Sequence, residues 1–214
     1  MKKEIIEALE ELKKEKRIFV SEKDFQLELA WKLKEIFERK KEKINIKLEF
    51  CIEIKNEKPM YIDILVNYRN KWYPIELKYK TKKYYDDSSE DESIKLKNQE
   101  ARDQGRYDFL WDIKRLEKIK NIKEKKFAEG FAIFLTNDLN YLNGGSNCKD
   151  EDFRLYNREI DTKMELKWKN NPSKGTIGKR TEKIKFDNIV KIKWDEYYNF
   201  NKENGKFMIL IVKR

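Results

Sequence analysis

The sequence predicts an α/β domain in the order helix, three strands, helix, strand, followed by a β-rich C-terminal extension. Three observations predict it. Two N-terminal segments carry apolar residues at helical spacing, residues 44–54 alternate apolar and polar, and two further β-rich runs flank a four-residue turn. Ile5, Ile6, Leu9 and Leu12 make 3–16 a short amphipathic helix, and Ser21 with Asp24 forms a capping box that starts a second helix over 22–39. In 44–54, Ile44, Ile46, Leu48, Phe50, Ile52 and Ile54 share one face, as in a half-buried strand. The chain turns at Asn56–Pro59, and Tyr61–Asn67 and Trp72–Tyr79 then read as a hairpin around Tyr68–Lys71. Residues 80–94 read as a loop, and a long helix is expected from about 95 to 120. Phe131–Leu135 is short and wholly apolar, a buried strand ending in a turn or cap at Thr136-Asn137-Asp138. Beyond the loop at 143–147, 164–169 and 183–194 read as short strands and Lys206–Val212 as a closing strand. Neither a repeat nor a linker interrupts the chain. The expectation is one domain over 1–214, with a core at about 21–138 and an extension at 139–214.

Composition narrows the chemistry. The chain has 39% hydrophobic and 13% aromatic residues, enough for a real core, while 42% charged residues crowd its surface. Fifty Lys and Arg against 40 Asp and Glu leave +10, which suits a polyanionic partner or a plain solvated Lys/Glu surface. No apolar run reaches the roughly 20 residues of a membrane span and no secretory signal is evident. Cys51 and Cys148 lie far apart, so no disulfide framework is expected and a cytoplasmic setting fits. Histidine is absent, which excludes Ser-His-Asp and Cys-His catalysis and every imidazole metal site. Chemistry must then run on carboxylates, lysine and an oxygen-ligated metal.

The hairpin supplies those groups. A loop centred between Arg69 and Asn70 sets Asp63 opposite Glu76 and Tyr61 opposite Lys78, so Asp63, Glu76 and Lys78 project to one side. Ile62, Ile64, Val66, Tyr73, Ile75 and Leu77 form the opposite, apolar face. Directly opposed Cβ atoms stand roughly 4.5–5.5 Å apart, where two carboxylates repel and a divalent cation reverses the sign. Magnesium takes one or two carboxylates with waters and substrate phosphate. Asp63 and Glu76 would supply the carboxylates, the Leu77 carbonyl a third oxygen, and Lys78 would orient or deprotonate the attacking water. Pro74 is awkward inside a strand because it gives up a ladder hydrogen bond.

Lys58-Pro59-Met60-Tyr61-Ile62-Asp63, twelve residues, then Glu76-Leu77-Lys78 resembles the PD-(D/E)xK nuclease motif. That superfamily includes restriction endonucleases, junction resolvases and repair exonucleases. The resemblance covers about 21–138 and implies a restriction-endonuclease-like core, α-β-β-β-α-β, with a mixed central sheet flanked by helices. The proline stands four positions before the aspartate rather than one, a departure from the motif.

Two helices should complete such a site. Related nucleases often add a Glu from the first core helix, and Glu22 lies beside the Phe25, Leu29, Leu33, Ile36 stripe whereas Glu28 lies on the wetter side. Glu22 is therefore the expected extra metal or water ligand, with Gln26 nearby; its alternative role is to complement the helix dipole. On the later helix, Gln99, Asp103 and Arg106 lie one turn after another with Leu110, Ile113 and Glu117. Gln99 resembles the Gln that related nucleases place near the metal, and Arg106 is a candidate phosphate contact. The alternative for this set is a buried Asp103–Arg106 ion pair. The resemblance thus implies a Mg²⁺-dependent hydrolase of DNA phosphodiesters, an endonuclease, with Mn²⁺ as a substitute metal and Asp63, Glu76, Lys78 and Glu22 as catalytic residues. The rival expectation is a non-catalytic nucleic-acid-binding module on the same fold. Lys174–Lys185 reads either as a DNA-facing loop or as a solvated one, and a homodimer fits because cutting a duplex needs two centres.

Overall fold

The computed structural model describes residues 1–53, 58–87, 93–120, 122 and 126–214. Helices α1 (Lys2–Lys14) and α2 (Glu22–Arg39) precede strands β1 (Ile44–Ile52), β2 (Met60–Tyr68) and β3 (Lys71–Lys80). Two short strands follow, β4 (Tyr84–Asp86) and β5 (Ile94–Leu96), then α3 (Arg102–Lys120) and β6 (Phe131–Thr136). The remainder holds β7 (Arg158–Ile160), the one-turn α4 (Lys174–Ile177), β8 (Val190–Ile192), β9 (Trp194–Asn199) and β10 (Lys206–Lys213). This is a mixed α/β fold whose central six-stranded sheet runs β1-β2-β3-β6-β10-β9, flanked by helices. Only β3 and β6 are parallel; every other neighbouring pair is antiparallel. Among the described residues no helix is long and apolar enough to cross a membrane.

The sheet separates two cores. On one face α1 and α2 bury Ile5, Leu9, Phe25, Leu29 and Leu33 against Ile64, Val66, Ile75, Leu77 and Ile133. On the other, α3 buries Phe109, Leu110 and Ile113 against Ala132, Phe134 and Leu210, with Phe153, Ile184, Phe186 and Val190 packed over it. Ser21 caps α2 as its box predicts, accepting from Asp24 N at 3.1 Å; the return arm of Asp24 goes to Val20 N instead of Ser21 N.

Several expectations are corrected. The segment 139–214 is not set apart: β6 is buried at every position and needs a partner on its far edge, which β10 provides, and β9 closes the sheet. The long helix begins at Arg102, not near 95, because Leu96 belongs to β5 and Ala101 adopts a left-handed φ of 60°. The loop expected over 80–94 contains β4 and leads into β5, which pair through Tyr84–Leu96 to Asp86–Ile94. In 164–169 and 183–194 the strands expected shrink to one bridge, Leu166–Ile184, plus β8 and the start of β9. Ile54 lies outside the described residues. Pro74 sits where its missing N–H costs least, between the bridge at Trp72–Phe127 and the parallel ladder that starts at Ile75–Phe131.

Candidate active site

The hairpin register is as the turn dictates, from Tyr68–Lys71 to Ile64–Ile75, with Arg69 and Asn70 at φ 50° and 58° as a primed turn requires. There the ladder stops. β2 and β3 part before Asp63 and Glu76, so the two carboxylates are not the directly opposed pair expected from an unbroken hairpin. Across β2, Glu49 of β1 takes a φ of 49° in mid-strand, and the β1–β2 register omits the Glu49–Asp63 step. Beyond it the apolar row changes cluster: Ile44 and Ile46 pack under α2, whereas Ile52 and Ile62 pack with Leu65 and Ile119. Ile62 thereby leaves the face expected of it.

The parting leaves backbone N–H groups of β3 without a strand partner, and carboxylates take them. Asp63 Oδ2 accepts from Leu77 N at 2.6 Å, and Glu22 Oε2, from the first turn of α2, accepts from Tyr79 N at 2.7 Å. Within a strand the N–H and C=O of one residue point to the same side, so the Leu77 carbonyl opens into this gap between two carboxylates. Gln26 anchors the place from α2. Its Nε2 donates to the Asp63 carbonyl and, at 2.8 Å, to Glu49 Oε1, and Lys23 also pairs with Glu49. Glu22 and Gln26 are therefore where the α2 stripe puts them.

The face that carries Glu76 and Lys78 turns toward α3. Lys78 Nζ lies 3.4 Å from Asp112 Oδ2, Arg115 Nη1 lies 3.1 Å from Asp112 Oδ1, and Arg115 Nη2 lies 3.2 Å from Glu76 Oε1. Arg115 also donates to the Tyr61 carbonyl. Glu76 is 2% exposed, and despite Arg115 its Oε1 makes no hydrogen bond of acceptable geometry, an orphaned buried acceptor. Burial raises the Asp63 carboxyl to about 6, assisted by Asp112 and Glu22 and opposed by the Leu77 N–H. Burial pushes Glu76 well above the usual carboxylate range, Asp112 adding to it and Arg115 resisting. Burial alone would lower Lys78, but Asp112, Glu22, Asp108 and Asp63 outweigh it and hold the ammonium above its ordinary range. When all are ionised, Asp63, Glu76, Asp112 and Glu22 set four negative charges against the two positive charges of Lys78 and Arg115. Two negative charges are left over.

Among the described residues no three Asp, Glu, Cys or His side chains converge as a metal cage. Magnesium does not require one, since it keeps its waters and uses one or two carboxylates. The donor set fits: the half-buried Asp63, the buried Glu76 with an unsatisfied oxygen, a strand carbonyl opening into the fork, and a charge deficit of two.

Asp112 and Arg115 were missed by the sequence reading, and the α3 residues chosen in their place sit elsewhere. Arg106, 3% exposed, pairs with Asp150 at 2.7 Å and donates to the Asn140 carbonyl. Its guanidinium is spent on the C-terminal segment, not offered to a phosphate, and its partner is Asp150, not Asp103. Asp103 instead accepts from Gln104 N at the helix start. Gln99 precedes α3 altogether; its N–H donates to the Thr81 carbonyl and its Oε1 is buried without a partner. No hydrogen bond or ion pair among the described residues joins Gln99, Asp103 or Arg106 to Asp63, Glu76 or Lys78. Glu117 is a clamp, accepting from Asp187 N and Asn188 N. Asp138 caps the 3₁₀ turn Leu139–Leu142, as the expected turn or cap requires. The basic stretch from Lys174 docks on α3 through Arg180–Asp108 and Gln104.

Fold and site thus define a mixed α/β protein with an acidic centre at a forked pair of strands. In comparison with known proteins, no family model, no curated protein and no solved structure matches the chain.

Proposed function

We propose that this chain is a Mg²⁺-dependent DNA nuclease of the PD-(D/E)xK type, built on a restriction-endonuclease-like core, that hydrolyses phosphodiester bonds internally. One observation carries the reading. Where β2 and β3 part, Asp63 and Glu22 cap the freed amides of β3 while Glu76 stays buried with an unsatisfied oxygen and Lys78 stands beside it. Structural stability alone gives no reason to gather four acids, Glu76 and Asp112 of them buried, around two cations. The element order α2-β1-β2-β3-α3-β6, with the small β4–β5 hairpin inserted before α3, and the position of the trio on β2 and β3 support the superfamily the motif resembles.

In this reading Asp63, Glu76 and the Leu77 carbonyl hold the ion. A bound divalent ion supplies a Lewis acid beside the scissile phosphate and eases ionisation of the attacking water. The Lys78 ammonium orients that water and meets the charge that grows on the phosphoryl oxygens, while Glu22 accepts a hydrogen bond from the water on its other side. Arg115 offsets part of the charge of Glu76 and Asp112. The Lys78–Asp112 and Arg115–Glu76 pairs favour a second reading, a nucleic-acid-binding module that has made its centre self-sufficient.

Supercoiled, linear, single-stranded and branched DNA, each with Mg²⁺, Mn²⁺ or EDTA, separates the two. Cutting that needs the metal and disappears in Lys78→Ala supports the nuclease. Salt-sensitive binding with no cutting in any metal supports the module, and undiminished cutting by Lys78→Ala defeats the mechanism.

A further inference from the structure

A cleft of about 660 Å³ opens beside the candidate centre and shares its walls. Three segments line it: the approach to β2 with Lys58 and Tyr61, the outer side of α3 with Trp111, Arg115 and Lys118, and the loop carrying Lys179. Its volume falls within the roughly 300–1,000 Å³ of pockets that take small ligands. Arg115 faces Glu76 from one side and this cleft from the other, and Tyr61 is two residues before Asp63. The cleft thus adjoins the centre through Arg115, which stands between the two.

The lining has the chemistry of nucleic-acid contact. Lys58, Lys118 and Lys179 bring three positive charges to a lining with one carboxylate, Glu182, while Arg115 on the same wall is paired with Glu76 and Asp112. Two aromatics on different elements border the same space. Tyr61 is 56% exposed, so its ring is open to a ligand on this side. Trp111 is held in place by a stack against Tyr107, 6.1 Å between centroids at 13°, and Tyr107 stacks in turn on Trp168 at 5.9 Å. The Lys118 ammonium stands 5.7 Å from the Trp111 centroid, a cation–π position on the ring that borders the cleft. A rigid ring, an exposed ring and a ring of cations form a stacking platform with an electrostatic funnel. A paired base keeps its faces inside the duplex and cannot use such a platform.

We infer that this cleft takes an unpaired DNA base flanking the scissile phosphate, so that the substrate is single-stranded, frayed or branched DNA rather than intact duplex. The inference rests on the reading of Asp63, Glu76 and Lys78 as a nuclease centre, and it names that centre's substrate class. Tyr61 and Trp111 are the stacking residues; Lys58 and Lys179 hold the neighbouring phosphates.

The test uses binding without metal, in EDTA. Single-stranded DNA carrying one 2-aminopurine, and a blunt duplex of the same sequence, are titrated with the full chain. The expected result is tighter binding of the single strand, with quenching of 2-aminopurine fluorescence. Tyr61→Ala, exposed and so without cost to the fold, should weaken single-strand binding by roughly 5- to 150-fold and lose the quenching, while duplex binding changes little. Lys179→Ala should lower the salt slope by about 0.7, one contact on a single strand. Equal affinity of Tyr61→Ala for the single strand, duplex preference without quenching, or tighter binding of the matching RNA would overturn the inference. Metal-dependent cutting of duplex with no quenching removes this inference and leaves the nuclease; quenching with no cutting in any metal removes the nuclease and leaves the stacking cleft.

Discussion

Asp63→Asn removes a charge that the fold holds at a cost, so it should stabilise the protein while abolishing its chemistry. The carboxyl ordinarily titrates at 3.8 and is raised to about 6 here by burial and by Asp112 and Glu22. At about 1.4 kcal/mol per pH unit, ionising Asp63 in the folded chain costs about 3 kcal/mol more than in the unfolded chain. The sign follows from the raised value. Below pH 3.8 both states are protonated and there is no penalty. Between 3.8 and 6 the unfolded chain ionises while the folded one does not, and stability falls; above 6 the penalty is complete. An asparagine in the same place keeps an amide oxygen for Leu77 N–H and carries no charge. In EDTA at pH 7.5, urea unfolding should find the variant more stable by up to about 3 kcal/mol, roughly 6–12 °C in Tm for a chain of this size. The gap should close toward pH 4. Mg²⁺ should stabilise the native chain and leave the variant unmoved. A variant less stable than the native chain at pH 7.5 in EDTA, or a gap indifferent to pH, would refute the strain assigned to this carboxylate.

Three further substitutions separate site from scaffold. Glu22→Gln keeps an acceptor for Tyr79 N–H, so Tm should hold while cutting falls on the order of 10- to 100-fold; full activity would return Glu22 to a structural role. Arg115→Ala leaves Glu76 and Asp112 with less counter-charge and should destabilise by about 3 kcal/mol in EDTA, with part restored by Mg²⁺, as denaturation with and without the ion would read. Arg106→Leu leaves buried Asp150 with Arg154 alone and takes the donor from the Asn140 carbonyl, and should cost about 1–3 kcal/mol in a urea melt, with turnover per folded molecule unchanged. Turnover lost without stability lost would make Arg106 the phosphate contact it was first read to be.

What the sequence disclosed was local. The Ser21 box fixed the start of α2 and with it the depth of Glu22 and Gln26; the Arg69-Asn70 turn fixed which residues of β2 and β3 meet. What it concealed came from a distance. Nothing near Asp63 announces that β2 and β3 part there; the matching irregularity lies in β1, where Glu49 takes a left-handed φ and binds Gln26 and Lys23 of α2. Asp112 and Arg115 were concealed for another reason. The apolar stripe through Leu110, Ile113 and Glu117 predicts a face toward the site, yet that row, with Arg106, clasps the C-terminal segment. At about 100° per residue, Asp112 and Arg115 stand on the far side of the helix. α3 lies between the sheet and residues 150–194, so it is apolar on more than one side and a single stripe does not describe it. The clue was available in Leu116 and Ile119, which carry the apolar arc round the helix to Asp112 and to the edge of Arg115.

The decisive measurement is the anomalous signal of manganese in crystals of the native chain grown with MnCl₂. The nuclease reading requires one strong peak in the fork of β2 and β3, bonded to carboxylate oxygens of Asp63 and Glu76 and to the Leu77 carbonyl, with Arg115 drawn back from Glu76. Occupied sites elsewhere with none in that fork, and Arg115 still lying on Glu76, would contradict it.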